Sequence, residues 1–177
     1  GSYLPHRVVT NAELVKLMPS TSSAWIEEKI GIGERRFANP DQGVSDLALL
    51  ASQKALAQAQ LKPSDIDAIV FATATPEYHA PGSGVLLQNK LGCRHIPAFD
   101  VRNTSPGFLY SLDLADGLIQ TGRYQTILVV GAEVHSTGLD FSDRGRMMSV
   151  IFGDGAGCLI LRAEKGDSGL CDFVFHE

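Results

Sequence analysis

Ile66-Asp67-Ala68-Ile69-Val70-Phe71-Ala72-Thr73-Ala74-Thr75 is the stretch on which the fold turns. Its centre, Ala68 to Ala72, is apolar at every position. A strand with one face in water alternates apolar and polar residues. A strand apolar on both faces is covered on both, which is the pattern of a parallel sheet. Lys62-Pro63-Ser64-Asp65 just before it reads as a turn. Ile127 to Val130 is the centre of a second fully apolar strand, and Ile96 to Val101 is a further extended segment.

Helical patterns lie around and between these strands. Asn11 can cap a first helix running through Met18, and Ser22 or Ser23 can cap a second over Trp25 to about Ile30, ended by Gly31. Pro40 to Gly43 is loop. Ser45 then caps an amphipathic helix to about Gln60, with Leu47, Leu50, Ala51 and Ala55 on one face. A loop over Pro76 to Pro81 leads to a helix ending near Leu91. From Pro106 to about Thr121, Phe108, Leu109, Leu112, Ala115, Leu118 and Ile119 form one stripe, and Gly122 stops the helix. Strands in alternation with helices predict an α/β domain whose sheet is covered on both faces.

Gly153-Asp154-Gly155-Ala156-Gly157 is glycine-rich but matches neither GxGxxG nor a Walker pattern, and an apolar, β-like segment follows it. It reads as a tight turn between strands at Val150 to Phe152 and Cys158 to Leu161, with Asp154 stabilising the turn. Ser2-Tyr3-Leu4-Pro5 reads as the exit of a trimmed strand, and Cys171 to Glu177 as a strand with no turn or cap after it. The expectation is a piece of something longer, or one half of a two-part fold.

Bulk properties narrow the function. The chain has 177 residues, 44% of them hydrophobic, and a formal charge of −5, as expected of a globular domain with one sizeable core. The negative charge, with no basic run longer than Arg35-Arg36, argues against nucleic-acid binding. No stretch is long enough to cross a bilayer, and no signal-peptide pattern opens the sequence. Cys93, Cys158 and Cys171 are odd in number and lack CxxC spacing, which fits a reducing cytoplasm. His6, His79, His95, His135 and His176 are scattered without metal-ligand spacing, so no metal site is expected.

Two positions could carry chemistry. Ser105, in Arg102-Asn103-Thr104-Ser105-Pro106-Gly107, stands where an apolar strand runs into a helix. Such an elbow can present a nucleophile to a cleft beside free helix N–H groups. Ser followed by Pro is equally a helix cap with proline in the first turn. Trp25, the only tryptophan, has Lys29, Arg35 and Arg36 nearby. It reads either as an edge aromatic or as an indole that stacks a purine.

Six segments, in order and spread over nearly the whole chain, carry a resemblance. They are Gly1 to Pro5, Trp25-Ile26 through Gly31-Ile32 to Glu34-Arg35-Arg36, Asp65-Ile66-Asp67 through Ala72-Thr73, Pro97 to Val101, Gly107-Phe108-Leu109-Tyr110, and Phe152 to Gly157. Together they resemble the N-terminal half of type III β-ketoacyl-acyl-carrier-protein synthases of the thiolase superfamily. The resemblance implies a thiolase-like half spanning residues 1–177, with a mostly parallel central sheet that pairs with a C-terminal half of similar architecture. It also implies a cytoplasmic homodimer. The chemistry implied is decarboxylative condensation of an acyl-CoA with a malonyl-acyl-carrier protein, in fatty-acid or related biosynthesis. No permanently bound cofactor and no metal are involved.

In this family a cysteine at the helix N-terminus takes the acyl group, and its backbone N–H helps form the oxyanion hole. Ser105 falls on that cysteine. The family's catalytic His and Asn belong to the C-terminal half. Trp25 matches the adenine-stacking tryptophan, and Arg144 matches an arginine at the nucleotide end. Lys29 replaces a usual arginine, keeping the charge but losing the bidentate fork, and Gly33 replaces another. The stretch from Arg144 to Ile151 is longer than the family pattern. Three readings follow: a condensing enzyme inactive as it stands through Ser105 and the missing half, a non-catalytic thiolase-fold subunit, or a serine acyltransferase that does not decarboxylate.

Overall fold

The computed structural model describes residues 1–166 together with Gly169 and Leu170. The strand expected over Cys171 to Glu177 lies outside the described residues. Five strands form the central sheet: β1 (Ser2–Tyr3), β4 (Ala68–Ala72), β5 (Ala98–Val101), β6 (Thr126–Val134) and β7 (Asp154–Arg162), in the order β1-β7-β6-β4-β5. β4 pairs in parallel with β5 and β6, while β7 is antiparallel to β6 and β1. Four of the five strands therefore point the same way, and β7 alone is reversed.

All five residues of β4 are buried, as its double-faced apolar pattern requires. Alternate side chains feed two cores. Ile69 and Phe71 join Leu128 and Val130 beneath α3 (Val44–Ala59) and α4 (Ser83–Leu91). Ala68 and Val70 join Ile127 and Val129 beneath Leu112 and Ala115 of α5 (Gly107–Gln120). Phe71 is wholly buried, and truncating such a ring to alanine costs about 3–5 kcal/mol.

A second small sheet pairs β2 (Arg7–Thr10) with β3 (Glu34–Phe37), antiparallel, and between them run α1 (Asn11–Leu17) and α2 (Ser23–Ile30). These strands do not stand out in the sequence, because half or more of each is charged or polar. Their inward residues Val9 and Phe37 join Leu14, Met18, Ile26 and Val150 in a third core. Arg35 is buried there, donating to the Val9 and Val150 carbonyls and to Asn11 Oδ1.

Several expected caps move by one or two residues. Thr10, not Asn11, caps α1 through a reciprocal pair with Glu13. Asn11 is buried, and its amide donates to the Ile32 carbonyl. Ser22 caps α2 and Gly31 ends it in the left-handed conformation. The cap of α3 is Gly43, whose N–H donates to Asp46. Ser45 lies inside the first turn, its N–H on Glu77 and its hydroxyl accepting from Lys90.

The glycine-rich run is also corrected. Gly153 to Gly157 is no turn between two strands, because β7 begins at Asp154 and runs unbroken to Arg162. Val150 to Phe152 is not a strand either; Val150 ends a short helix, α6 (Arg146–Ser149). Asp154 is buried and accepts from the Ala38 N–H and from both the N–H and hydroxyl of Ser136. It ties β7 to the segments after β3 and β6. Bare glycine backbone lets these chains come close: a side-chain carbon at Gly153 would stand 3.0 Å from Arg35 Cβ.

Candidate acyl-transfer site

β5 delivers the chain to the elbow, and α5 carries it away. Between them Thr104, Ser105 and Pro106 make a tight turn, with the Gly107 N–H on the Thr104 carbonyl at 3.0 Å. α5 starts at Gly107 and has no side-chain cap, so Ser105 is not the N-cap. Proline has no N–H and its fixed φ suits a helix start, which places the helix boundary after Pro106 and leaves the Ser105 side chain outside it. Ser105 is exposed. Its N–H makes no hydrogen bond among the described residues.

Ser105 lines a cleft of about 530 Å³ together with Thr104, Phe108, Glu133, His135 and Met148. The ends of β4 and β6 form its floor. A side-chain carbon at Gly131 would lie 2.9 Å from the Phe108 ring, so glycine there is what lets Phe108 sit against β6. Glu133 accepts from the Ala74 N–H and the hydroxyls of Thr73 and Thr75, which fixes the loop after β4. The His135 ring packs on Phe152, centroids 4.3 Å apart. The cleft is mostly apolar, with the hydroxyl residues Thr104 and Ser105 on its lining, a shape suited to an acyl chain.

The other expected site residues lie at the edge of the third core. Trp25 is half-buried against that core, with the Arg146 guanidinium 5.8 Å from its ring centroid. Lys29 is exposed and paired with Glu28 at 2.6 Å. Arg144 is paired with Asp140 at 2.8 Å, and its side chain is 89% exposed. Hydrogen bonds from Ser142 and then Arg144 hold the Asp140 carboxyl below its ordinary range. The cation beside the indole is thus Arg146, which the sequence reading passed over. The available signal was the repeated cation in Arg144-Gly145-Arg146. The long stretch after Arg144 forms α6, which carries Arg146 toward Trp25 and Met148 into the cleft.

A family model described as 3-oxoacyl-[acyl-carrier-protein] synthase III matches residues 99–177, the part that contains the elbow and the cleft. Over 172 residues the chain is 48% identical to the β-ketoacyl-[acyl-carrier-protein] synthase III of Rhodospirillum rubrum, covering 96% of this chain and 52% of that protein. In sequence and fold this chain is similar to the N-terminal half of a type III β-ketoacyl-acyl-carrier-protein synthase. The solved synthase III structure from Aquifex aeolicus VF5 superposes with a TM-score of 0.89 at 38% identity, covering 94% of this chain and 53% of that one. The corresponding structure from Pseudomonas aeruginosa PAO1 gives 0.87 at 38%, covering 95% and 51%. The chain spans about half the length of the synthases III it matches. Its mixed fold, with a central sheet between helices, is the one expected from the resemblance.

Proposed function

We propose that this chain is the acyl-receiving half of a condensing enzyme, with the reaction centred on Ser105. One observation carries the reading: Ser105 stands exposed at the β5–α5 elbow, at the mouth of an apolar cleft; in this reading it takes the place of the family's cysteine. An acyl-CoA is the donor and a malonyl-acyl-carrier protein the extender. Attack by the nucleophile on the thioester carbonyl forms an acyl-enzyme, breaks the C–S bond and releases CoA thiol. Loss of carbon dioxide from the malonyl group then leaves the carbon that attacks the acyl-enzyme and displaces the nucleophile. The unpaired Ser105 N–H suits the developing oxyanion. Trp25 marks the nucleotide end in this reading. No metal or bound cofactor takes part. The working protein is a cytoplasmic homodimer that includes the C-terminal half.

Oxygen in place of sulfur limits the reaction. A serine hydroxyl is hardly ionised at neutral pH and needs a paired base, and the family's His and Asn lie in the C-terminal half. The 177-residue chain alone is therefore expected to form no condensation product from acyl-CoA and malonyl-acyl-carrier protein. Product from the isolated chain would overturn this.

Ser105→Cys, made with the C-terminal half present, tests the rest. Condensing activity that appears with cysteine supports the condensing enzyme. A stable acyl adduct on Ser105 by mass spectrometry, with nothing gained from cysteine, would instead identify a serine acyltransferase. If neither residue acylates, the chain is a non-catalytic subunit.

A further inference from the structure

The geometry points to Arg146, rather than Arg144, as the residue that binds the phosphates of the adenine nucleotide end of the acyl donor, next to Trp25. This rests on the nucleotide site of the proposed function and changes which cation serves it. Arg144 is occupied: its Nε and Nη2 both reach Asp140 at 2.8 Å, and it projects into solvent. Lys29 is likewise neutralised by Glu28. Arg146 has no carboxylate within ion-pair distance among the described residues. Its Nη1 donates to the carbonyl and the hydroxyl of Ser20, both at 2.8 Å. Those are neutral acceptors; the Asp143 carboxylate behind Ser20 interacts with the guanidinium from beyond ion-pair distance, and Nε and Nη2 make no hydrogen bond among the described residues. The remaining Nε–Nη2 edge is the side of a guanidinium that binds phosphate in a bidentate manner.

The placement is built rather than incidental. Asp143 accepts from the Ser20 N–H and hydroxyl at 2.9 and 2.6 Å, which fixes the Ser20 oxygens that Arg146 uses. Ser149 donates to the Asp140 carbonyl and closes the loop that carries α6. Gly145 lies against the Asp140 backbone so closely that no side chain fits. The loop therefore turns Arg144 outward and Arg146 inward, over the indole. At 5.8 Å from the ring centroid the guanidinium is at the outer limit of cation–π contact, about 6 Å. The fork therefore stands beside the indole that the proposed function assigns to the purine.

Trp25 is the only tryptophan, so indole fluorescence reads this site in the 177-residue chain. The probes are adenosine and adenosine 3′,5′-bisphosphate. The intact chain is expected to prefer the bisphosphate by about tenfold or more, the usual worth of charge-assisted phosphate contacts. Arg146→Gln, which keeps a donor for Ser20 but loses the charge, should bind adenosine as before, with the preference reduced to about twofold or less. Arg146→Ala should do the same, and Arg144→Ala should keep the preference. An equal loss for both probes in the Arg146 variants assigns the residue a merely structural role and overturns the inference. So does a preference that survives in Arg146→Gln, or one that vanishes in Arg144→Ala. If neither nucleotide changes Trp25 fluorescence in the intact chain, the nucleotide site itself is refuted, and the inference with it.

Discussion

Thr104 has a φ of 35°, immediately before Ser105. That value belongs to the left-handed region, where a β-branched residue is crowded. Glycine would hold the same backbone without the clash. Residues in such conformations carry about 1–3 kcal/mol of strain, and they gather at functional turns. The strain here sits at the elbow that presents Ser105 to the cleft. Thr104→Gly relieves it, while adding flexibility to the unfolded chain that offsets about 0.5–1 kcal/mol. The net expectation is a gain of about 1 kcal/mol in unfolding free energy, read from urea midpoints. The same change at an unstrained exposed threonine, such as Thr121 with its φ of −69°, should be destabilising. A loss of stability in Thr104→Gly would show that the turn is unstrained.

Glu77 joins two helices that the sequence does not link. It accepts from the Ser45 N–H in the first turn of α3 and from the Ser83 hydroxyl at the start of α4, both at 2.6 Å. Burial pushes its carboxyl up, but the hydrogen bonds from Ser45 and Ser83 outweigh that and hold it below its ordinary 4.5. The unfolded chain therefore binds more protons than the folded one between the depressed value and 4.5. Stability from Glu77 is fully present above the ordinary value and lost as pH falls through the folded one. Glu77→Gln keeps the shape and removes the titration. Its urea midpoint should be lower than that of the intact chain near neutral pH, and the gap should narrow below pH about 4.5. A gap that stays constant with pH would mean Glu77 contributes no charge-dependent stability.

Long, uniform patterns were legible in the sequence and short polar ones were not. Ala68 to Ala72 announced a buried parallel strand, and α4 and α5 followed from loop and stripe. β2 and β3 were hidden because Arg7, Thr10, Glu34, Arg35 and Arg36 are poor strand signals taken alone, and only pairing makes them a sheet. Asp154 looked like a turn residue because glycines flank it. Its partners, Ala38 and Ser136, are distant in sequence, so no local pattern could reveal a buried tether. The place of Ser105 was readable, but its neighbours in the cleft were not: His135 reaches it from just after β6 and Met148 from α6. The resemblance places Arg144 at the nucleotide end by position alone, whereas the contacts with Asp140 and Ser20 set where the Arg144 and Arg146 guanidinium groups lie.

At the scale of the whole molecule, β5 is the edge on which the proposed assembly depends. Its one partner is β4, and its other edge is unpaired among the described residues. Phe99 on that strand is 38% exposed, and Leu109 and Leu114 on neighbouring α5 are 54% and 41% exposed. An open edge bearing an aromatic residue is a template for strand pairing, and a monomer would be expected to blunt it with charge. The proposed homodimer closes this edge by running the sheet on through a second β5. Phe99→Lys puts a charge where the two edges would meet, and burying an unpaired ammonium is strongly unfavourable. With the C-terminal half present, light scattering should give a dimer for the unaltered protein. The dimer dissociation constant should rise by at least about tenfold in Phe99→Lys. Lys substituted instead at Leu159, exposed on β7 away from this edge, should leave it unchanged. A monomeric unaltered protein, or a dimer indifferent to charge at Phe99, would place the interface elsewhere and leave the β5 edge to another partner.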